Sequence, residues 1–393
     1  MMLVALPIAA QEELLHVVIQ IDGEAYLSHF SQPANYSDEN LLTVGSFVKS
    51  TDVIEAGPGN RVVILCANRS TDEISNDTRS PNCGSATEAL VVFNNVQVYG
   101  QQRAAADDIV YVTSPRNTIT MTAQPSITWI PIPDDVTRGI TYKVTLYNQA
   151  DNSIVWERTG IAGSSLVYPD DEQPLPAVDS AERPIRYQFV VTPVLNGEDM
   201  RNFDPLRPEG FCIVSARNRP LIERAITELN NVNLQDPNSK AFYTAVYYHG
   251  RRLYSEAQTE LLSILPVPLN QPFPANQINA ESITGSPSYY LLLANVMYAQ
   301  RLPLDDVQAA YERAGDIATV LGDTVALATV NEQLGDILRG RKPKIDQTRD
   351  ADIFVFYDSA EAFYAALNDE ASVERINVKV SNEPNLATGD LCG

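Results

Sequence analysis

The sequence predicts a multidomain α+β protein in which two N-terminal all-β domains precede an α-helical solenoid. Up to about residue 214, apolar and polar residues alternate as in strands, and from about residue 217 apolar residues recur at helical spacing. Residues 238–264 and 288–314 also carry small and aromatic residues at matching offsets, which indicates an internal repeat. In that repeat Ala245, Tyr248, Ala257, Leu261 and Ile264 recur as Asn295, Tyr298, Val307, Tyr311 and Ala314.

Length and composition fit several packed domains. For 393 residues, a prior of about 150 residues per domain predicts two or three domains. A hydrophobic content of 44% excludes a chain that is disordered throughout. The 50 acidic and 28 basic side chains give a net charge of −22, which disfavours nucleic acid and anionic membranes as partners. The acidic surface either aids solubility or meets a basic partner.

The first residues indicate export. Residues 1–10 form an apolar run that ends in Ala9 and Ala10 before the polar Gln11. This is typical of the second half of a secretory signal cleaved after Ala10, although its basic start is missing; the alternative is an ordinary buried end. No other run reaches the ~18 apolar residues of a membrane span. We therefore expect an extracytoplasmic protein (periplasmic, cell-surface or secreted) with no transmembrane span.

The four cysteines are consistent with export. Cys66 and Cys83 flank a polar loop, and no CxxC or Cys/His spacing typical of a zinc site is present. We predict a Cys66–Cys83 disulfide, which would contribute roughly 3 kcal/mol in the chain-entropy model. Cys212 and Cys392 form a second candidate pair, and the alternative for all four is free thiols.

Residues 16–111 have the pattern of a first β-domain. Val17–Ile21 precedes the turn at Asp22-Gly23, a further strand runs to Phe30, and the β-branched run 61–65 suits a buried strand. The segment 42–65 resembles the FecR-like β-domain, with Thr51 and Ala56 replacing its usual Gly and Thr. The matching residues are Gly45, Asp52, Val53, Ile54, Gly57 and Val62 to Leu65. The resemblance implies an extracytoplasmic location. From the residues themselves, we expect the glycines to serve turns with positive φ and Asp52 to cap one of these turns.

Residues 112–214 predict a β-sandwich of six or seven short strands. Trp129, Trp156 and Tyr187 are expected in its core, and the alternative is an exposed aromatic platform for sugars. The order of a Trp strand early and a Tyr-x-Phe-x-Val strand late resembles fibronectin type III or related immunoglobulin-like domains. The alternating segments are Ile127/Trp129, Tyr142/Val144/Leu146, Ile154/Trp156, Leu166/Tyr168, Tyr187/Phe189/Val191 and Phe211/Ile213.

Residues 217–340 predict helices, the first of which begins near Asn218. The two repeated stretches resemble tetratricopeptide repeats (TPR), with Ala257 at the alanine position of the second helix. They depart from that family in a spacing of 50 residues, in Ala245 and Asn295 at the glycine position, and in a Pro-rich insertion from Pro266 to Pro287 that must loop out. A third unit is indicated by Ala326, Ala328, Leu334, Gly335 and Leu338.

The C-terminal tail, residues 341–393, follows a basic patch. Residues 353–356 are interpreted as a strand or buried segment, and residues 360–367 as a short amphipathic helix that caps the helical stack. Asp346, Asp350 and Asp352 lack the glycine and the distal Glu of an EF-hand, so we expect no metal site there.

The motifs of catalysis are missing. The chain has three scattered histidines and no GxSxG, GxGxxG, phosphate loop or HExxH, and the glycines of the segment 160–165 are interpreted as a hairpin turn. The sequence therefore predicts no catalytic residues, no metal and no cofactor.

The first helix of each repeat gives a candidate concave face for a protein partner. It consists of Phe242, Val246, His249, Tyr289, Leu292 and Val296. This apolar face either binds a peptide or is covered by the protein's own chain. We expect a non-catalytic scaffold or adaptor whose partner is unidentified. The alternatives are a self-associating subunit of a surface layer or filament, and a carbohydrate or cell-wall binder.

Overall fold

The computed structural model describes most of the chain, and two compact units emerge. One unit is Met1–Val91 with Glu228–Asn233, and the other is Val92–Thr227 with Leu234–Gly393. Each has its own hydrophobic core. The described residues are 15–28, 40–43, 46–66, 71–83, 110–133, 135–169, 172–200, 210–231, 237–273, 286–340 and 351–381.

The first unit contains two antiparallel sheets. Its described strands are β1 (Leu15–Asp22), β2 (Ala25–Ser28), β3 (Phe47–Lys49), β4 (Val53–Ala56), β5 (Arg61–Leu65), β6 (Thr71–Ser75) and β7 (Thr78–Arg79). One sheet has the order β3-β1-β5-β6 and the other the order β2-β4-β7. β1, β2 and β5 correspond to the three predicted strands, and Phe30, the predicted end of the second, lies outside the described residues. β1 and β5 pair with Val17 opposite Leu65.

Branched side chains fill the core of this unit because they pack well on pleated sheets. The cluster includes Val18, Val48, Ile54, Val62, Ile64 and Ile74. Asp52 caps a turn as expected, since its Oδ2 accepts a hydrogen bond from the Lys49 N–H at 2.8 Å. The expected positive φ at Gly57 is wrong, because Gly59 adopts it instead, with φ of 81°. Gly45 lies outside the described residues.

The second unit begins with two sheets that enclose one core. Its elements are β8 (Tyr111–Ser114), β9 (Thr118–Thr120), β10 (Ser126–Ile130), α1 (Asp135–Arg138), β11 (Thr141–Asn148), β12 (Ser153–Ile161), β13 (Ser165–Val167), β14 (Arg186–Leu195), β15 (Glu198–Asp199) and β16 (Phe211–Ile213). The sheets have the orders β13-β10-β8 and β12-β11-β14-β16-β9, and β15 pairs with β14. β9 and β16 are parallel. We call this part the sandwich.

The sandwich confirms the strand positions that alternation predicts. Trp129, Trp156 and Tyr187 are buried in its core, and the Trp129 ring meets Tyr142 edge-on with centroids 5.5 Å apart. The predicted core role of these three residues is confirmed. The hairpin predicted for residues 160–165 is wrong: β12 pairs with β11 and β13 with β10, so this segment crosses from one sheet to the other.

Helices follow the sandwich, and the first begins at Arg219, next to the predicted Asn218. They are α2 (Arg219–Asn231), α3 (Pro237–Gly250), α4 (Tyr254–Ile264), α5 (Ser286–Ala299), α6 (Leu304–Leu321), α7 (Thr324–Gly340), α8 (Ala351–Ala366) and α9 (Glu370–Ser381). α3/α4, α5/α6 and α7/α8 pack as hairpins; α4 also contacts α5, and α6 contacts α7. The predicted helix pairs at 238–264 and 288–314 are thus confirmed.

Local capping explains where several helices begin and end. The carboxylates of Asp323 and Asp369 accept the Ala326 N–H at 2.9 Å and the Ser372 N–H at 3.0 Å, which caps α7 and α9. Gly322 ends α6 with φ of 68°, a value that glycine adopts without strain. α4 ends at Ile264, so the Pro-rich insertion begins outside the helix as expected, and its residues 274–285 lie outside the described part of the chain.

The C-terminal part differs from the sequence prediction. Residues 353–356 are helical and belong to α8, which continues through the predicted capping segment. Ile353, Tyr357, Ala360 and Tyr364 form one apolar stripe of α8 and pack with Ala328 of α7. The strand interpretation was wrong because helical spacing across the whole segment outweighs its local β-propensity. No described helix is long and apolar enough to span a membrane.

Candidate functional site

Most of the candidate concave face is buried. Phe242 and Val246 on α3 and Tyr289, Leu292 and Val296 on α5 are each at most 5% exposed. The Phe242 and Tyr289 rings join α3 to α5, with centroids 5.1 Å apart. These five side chains therefore serve internal packing. A partner-binding role for them stays a prediction, because binding through them requires this packing to open.

His249 is the sixth residue of that face and is partly exposed. Its ring lies against Tyr254, with centroids 5.7 Å apart. Burial of the ring nitrogens lowers the pKa of His249 to about 4. The side chain is therefore neutral at pH 7 and offers no positive charge to an acidic partner.

A hydrogen bond explains one departure from the expected repeat pattern. Asn295 stands where the resemblance to tetratricopeptide repeats predicts a glycine, and it is buried. The hydroxyl of Tyr311, also buried, donates to Asn295 Oδ1 between α5 and α6. The larger side chain is accommodated because its polar group is satisfied inside the hairpin.

The sandwich contacts the turns of two helical hairpins, and we call this contact the junction. In each turn an arginine adopts a left-handed backbone, Arg252 with φ of 60° and Arg301 with φ of 57°. The following N–H groups, of Leu253 and Leu302, donate to carbonyls five residues earlier at 2.9 and 3.0 Å. Both turns are therefore Schellman motifs in which arginine takes the usual glycine position.

The carbonyl groups of these turns accept hydrogen bonds from the sandwich. The Arg252 carbonyl accepts the Ile119 N–H at 2.9 Å and the Thr118 hydroxyl at 3.1 Å. Thr118 Oγ1 in turn accepts the Tyr254 N–H at 2.9 Å, at the start of α4. Thr118 is fully buried, so these bonds are shielded from water.

The second hairpin turn is held in the same way. Asn117 Nδ2 donates to the Ala299 carbonyl at 2.6 Å, and Arg116 Nε donates to the Arg301 carbonyl at 3.2 Å. The Tyr111 hydroxyl donates to that same carbonyl, and the Arg116 guanidinium lies 4.2 Å from the centre of the Tyr111 ring. Tyr111, Arg116 and Asn117 are all buried. Strands β8 and β9 and the segment between them thus clamp both turns.

A carboxylate completes the junction. Glu256 lies in the first turn of α4, and its Oε1 accepts the Thr120 hydroxyl at 3.0 Å and the Met121 N–H at 2.8 Å. Oε2 is buried and has no hydrogen-bond partner among the described residues. Burial raises the pKa of Glu256 above its ordinary value, although the two donors oppose the shift.

A buried charge network joins α7 to α9. Glu332 accepts hydrogen bonds from Arg375 Nε and Nη2 at 2.9 and 2.8 Å and from Lys379 at 2.7 Å, while Lys379 also donates to Asp336 at 2.6 Å. Burial acts to raise the pKa of Glu332, but the two cations outweigh it and lower the pKa to about 2. Two acidic side chains thus pair with two basic ones. Their role in holding α9 on α7 explains these buried charges without a ligand.

Three side chains meet at one point in the first unit. Cys66 and Cys83 form the predicted disulfide, and a ring nitrogen of His16 lies within 4.8 Å of both sulfurs. Cys212 is also disulfide-bonded. Its predicted pairing with Cys392 stays a prediction, because Cys392 lies outside the described residues. Asp346 and Asp350 also lie outside the described residues.

Comparison with known proteins does not identify a family. No family model matches the chain, and no curated protein matches it.

Sequence reasoning missed both the junction and the His16 group. Thr118, Asn117 and Tyr111 stand far from α4 and α5 in the chain, so no local spacing links them. The available signal was the dipeptide Arg-Leu after the first helix of the first two hairpins, at Arg252 and Arg301. His16 stands 50 residues before Cys66 in the chain, and only the register of the β1–β5 pairing brings the two together.

Proposed function

We propose that this protein is an exported, non-catalytic scaffold or adaptor, in which TPR-like helical hairpins held on β-domains bind a protein partner. The junction is the observation that carries the proposal. Buried hydrogen bonds from Asn117 and Thr118 fix two hairpin turns against the sandwich, so the helices have a set orientation. A fixed orientation lowers the entropy lost when a partner binds.

The helical packing supports the TPR-like part of the proposal. Three hairpins follow one another, and small residues lie where their helices meet. Ala245, Ala257, Ala314 and Ala328 are fully buried. Small side chains let helix axes approach closely, which is what a stack of repeats requires.

The strand order supports an immunoglobulin-like sandwich. A three-stranded sheet faces a six-stranded one, and the early strand β9 runs parallel to the last strand β16. The first sheet holds β8 beside β10, so the chain switches sheets between β8 and β9. Such a switch closes the edge of a sandwich and brings the first and last strands together.

Disulfide chemistry supports an extracytoplasmic location. Disulfides persist in oxidising compartments, and Cys66, Cys83 and Cys212 are all oxidised. The FecR-like resemblance of residues 42–65 points to the same location. Both observations support a scaffold that works in the periplasm, on the cell surface or in the medium.

A structural subunit of a surface layer or filament is the second candidate. The edge strand β12 supports it, since eight of its nine residues are at least partly exposed and Ile154 and Val155 present apolar side chains to solvent. Long exposed edges of this kind pair readily with other strands. A carbohydrate-binding platform has less support, because Trp129 and Trp156 are buried.

Light scattering across a dilution series separates the two candidates. The scaffold should remain monomeric or dimeric at every concentration, whereas a filament subunit should form polymers that grow with concentration. Large assemblies that persist on dilution would rule out the scaffold. Ile154→Lys, which places a charge on the exposed edge, should dissolve such polymers if β12 forms them.

A binding experiment with matched variants tests the role of the helices. Exposed apolar side chains lie on the second helix of each hairpin, Leu262 on α4, Val320 on α6 and Val355 on α8. We expect that purified protein captures partner proteins from an envelope fraction of the source organism, and that changing these three residues to Asp abolishes the capture. The control variant, with Ile154 and Val167 of the sandwich changed to Asp, should still capture the same proteins. Equal capture by both variants would contradict binding through the helices.

A further inference from the structure

The first unit brings three metal-ligating side chains to one place. His16 is on β1, Cys66 directly follows β5, and Cys83 follows β7. In the pairing of β1 with β5, Val17 lies opposite Leu65, so the same register brings His16 opposite Cys66. One His16 ring nitrogen and the two Sγ atoms all lie within 4.8 Å of one another. Among the described residues this is the group with the geometry for a metal ion.

We propose that reduction of the Cys66–Cys83 disulfide converts this group into a binding site for a thiophilic divalent cation such as Zn²⁺. A dithiol reductant would transfer two electrons and two protons to the disulfide and itself become a disulfide, leaving two protein thiols. The cation then displaces the two thiol protons and binds both thiolates together with the imidazole. Oxidised and metal-bound states exclude each other, because the same sulfur atoms serve both.

The distances are close to those of a tetrahedral site. With Zn–S bonds of about 2.3 Å, two thiolates of a tetrahedral site are about 3.8 Å apart. The ligand atoms already lie within 4.8 Å of one another. Once the S–S bond is reduced, the two sulfurs therefore need only a local separation to reach the spacing of a metal site. His16 and Cys66 are buried, and their strands are paired, so the backbone holds two of the three ligands in position.

Neighbouring groups support the site. The Ser50 hydroxyl lies 2.9 Å from His16 Nε2 and orients the ring, as the partners of metal-bound histidines do. The Asp72 carboxylate is held by Arg79 at 2.7 and 2.9 Å and by the Asn82 N–H at 2.8 Å. The Asp72 carboxylate is therefore already hydrogen-bonded to other groups and is not a ligand in the proposed site. A water molecule is the fourth ligand of the cation.

Cobalt provides a spectroscopic test. The full chain carrying Cys212→Ser and Cys392→Ser is reduced with a phosphine, freed of metal and titrated with Co²⁺. We expect one Co²⁺ per chain, with thiolate charge-transfer bands and the intense visible bands of tetrahedral cobalt, and no such bands from the oxidised chain. His16→Gln should weaken binding by more than about tenfold, since even partners of a ligand contribute that much. The matched control His249→Gln should bind as tightly as the parent.

Thermal unfolding of the same reduced proteins keeps the proposal testable if reduction loosens the fold. Zn²⁺ should raise the Tm of the reduced parent, or restore its circular dichroism, and should do neither for His16→Gln. The proposal is overturned if the reduced parent binds no Co²⁺ and gains no stability from Zn²⁺. It is equally overturned if His16→Gln binds as tightly and gives the same spectrum.

Discussion

Single residues with left-handed backbone torsions fix the hairpin turns that the sandwich binds. Arg252 and Arg301 adopt φ near 60°, which costs a side-chain-bearing residue about 1–2 kcal/mol. The hydrogen bonds of their carbonyls to Thr118, Ile119 and Arg116 offset that cost. The Arg252 side chain is exposed to solvent, whereas the Arg301 side chain is partly buried.

Glu256 gives a residue-scale prediction that depends on pH. Its folded pKa is raised, so its favourable contribution is present below the ordinary value of about 4.3 and is lost as pH rises through the folded pKa. Glu256→Gln keeps an acceptor for Thr120 and Met121 without the charge. We expect its Tm, relative to wild type, to increase from pH 4 to pH 8.

Glu256→Ala is the control for that prediction. It leaves the Thr120 hydroxyl and the Met121 N–H without their acceptor, which should cost about 1–3 kcal/mol at both pH values. Differential scanning calorimetry measures all three proteins. A Gln variant that is destabilised as much as the Ala variant at pH 8 would show that the charged carboxylate is favourable in the fold.

At the scale of elements, α7 and α8 pack closely because of one glycine. A Cβ added at Gly335 would lie 2.8 Å from Cε1 of Tyr357. That ring cannot move away easily, because it is buried and its hydroxyl donates to Asp336 at 2.8 Å. The ion pairs of Glu332 on α7 with Arg375 and Lys379 on α9 hold α9 against α7.

Gly335→Ala should therefore destabilise the helices even though alanine favours a helix by about 1 kcal/mol over glycine. We expect a net loss of about 1–3 kcal/mol from the steric clash. Gly315→Ala on α6 is the matched control, because its Cβ would meet only Val330 Cγ1, at 3.3 Å, and it should be neutral or stabilising. Urea unfolding followed by circular dichroism compares the two, and equal stability would refute the close approach.

At the scale of the whole molecule, the junction joins the sandwich to the turns of the first two helical hairpins within the second unit. Buried side chains of β8, β9 and the intervening segment bind main-chain groups of two helical turns. Main-chain acceptors do not depend on the side chain at the turn, so the attachment tolerates sequence change there. The arrangement suits a protein that presents helices in a constant orientation.

Asn117→Ala tests this attachment. The variant loses the hydrogen bond to the Ala299 carbonyl and puts alanine at φ of 42°. Asn152→Ala is the matched control, since Asn152 also has positive φ, 56°, but lies in an exposed turn of the sandwich. We expect Asn117→Ala to cost about 1–3 kcal/mol more than the control. Hydrogen exchange at the amides of Gln300, Arg301 and Leu302 should accelerate only in Asn117→Ala, and equal exchange in both variants would contradict a role for this bond.

Local patterns alone determined much of this protein. Alternation placed the strands around Trp129 and Tyr187, helical spacing placed the hairpins, and the polar loop between Cys66 and Cys83 indicated their disulfide. These predictions succeeded because periodicity and burial are encoded over neighbouring residues. The FecR-like and TPR-like resemblances stay predictions.

Tertiary structure decided the rest, because it depends on pairs of residues far apart in the chain. Packing of α3 on α5 buried the apolar face that was a candidate for partner binding or for coverage by the protein's own chain, and packing on α7 made residues 353–356 helical. Sheet register placed His16 beside the disulfide, and the fold brought Thr118 to Arg252. These groups are buried by side chains that lie far from them in the sequence. Only the assembled structure therefore shows which surfaces remain exposed.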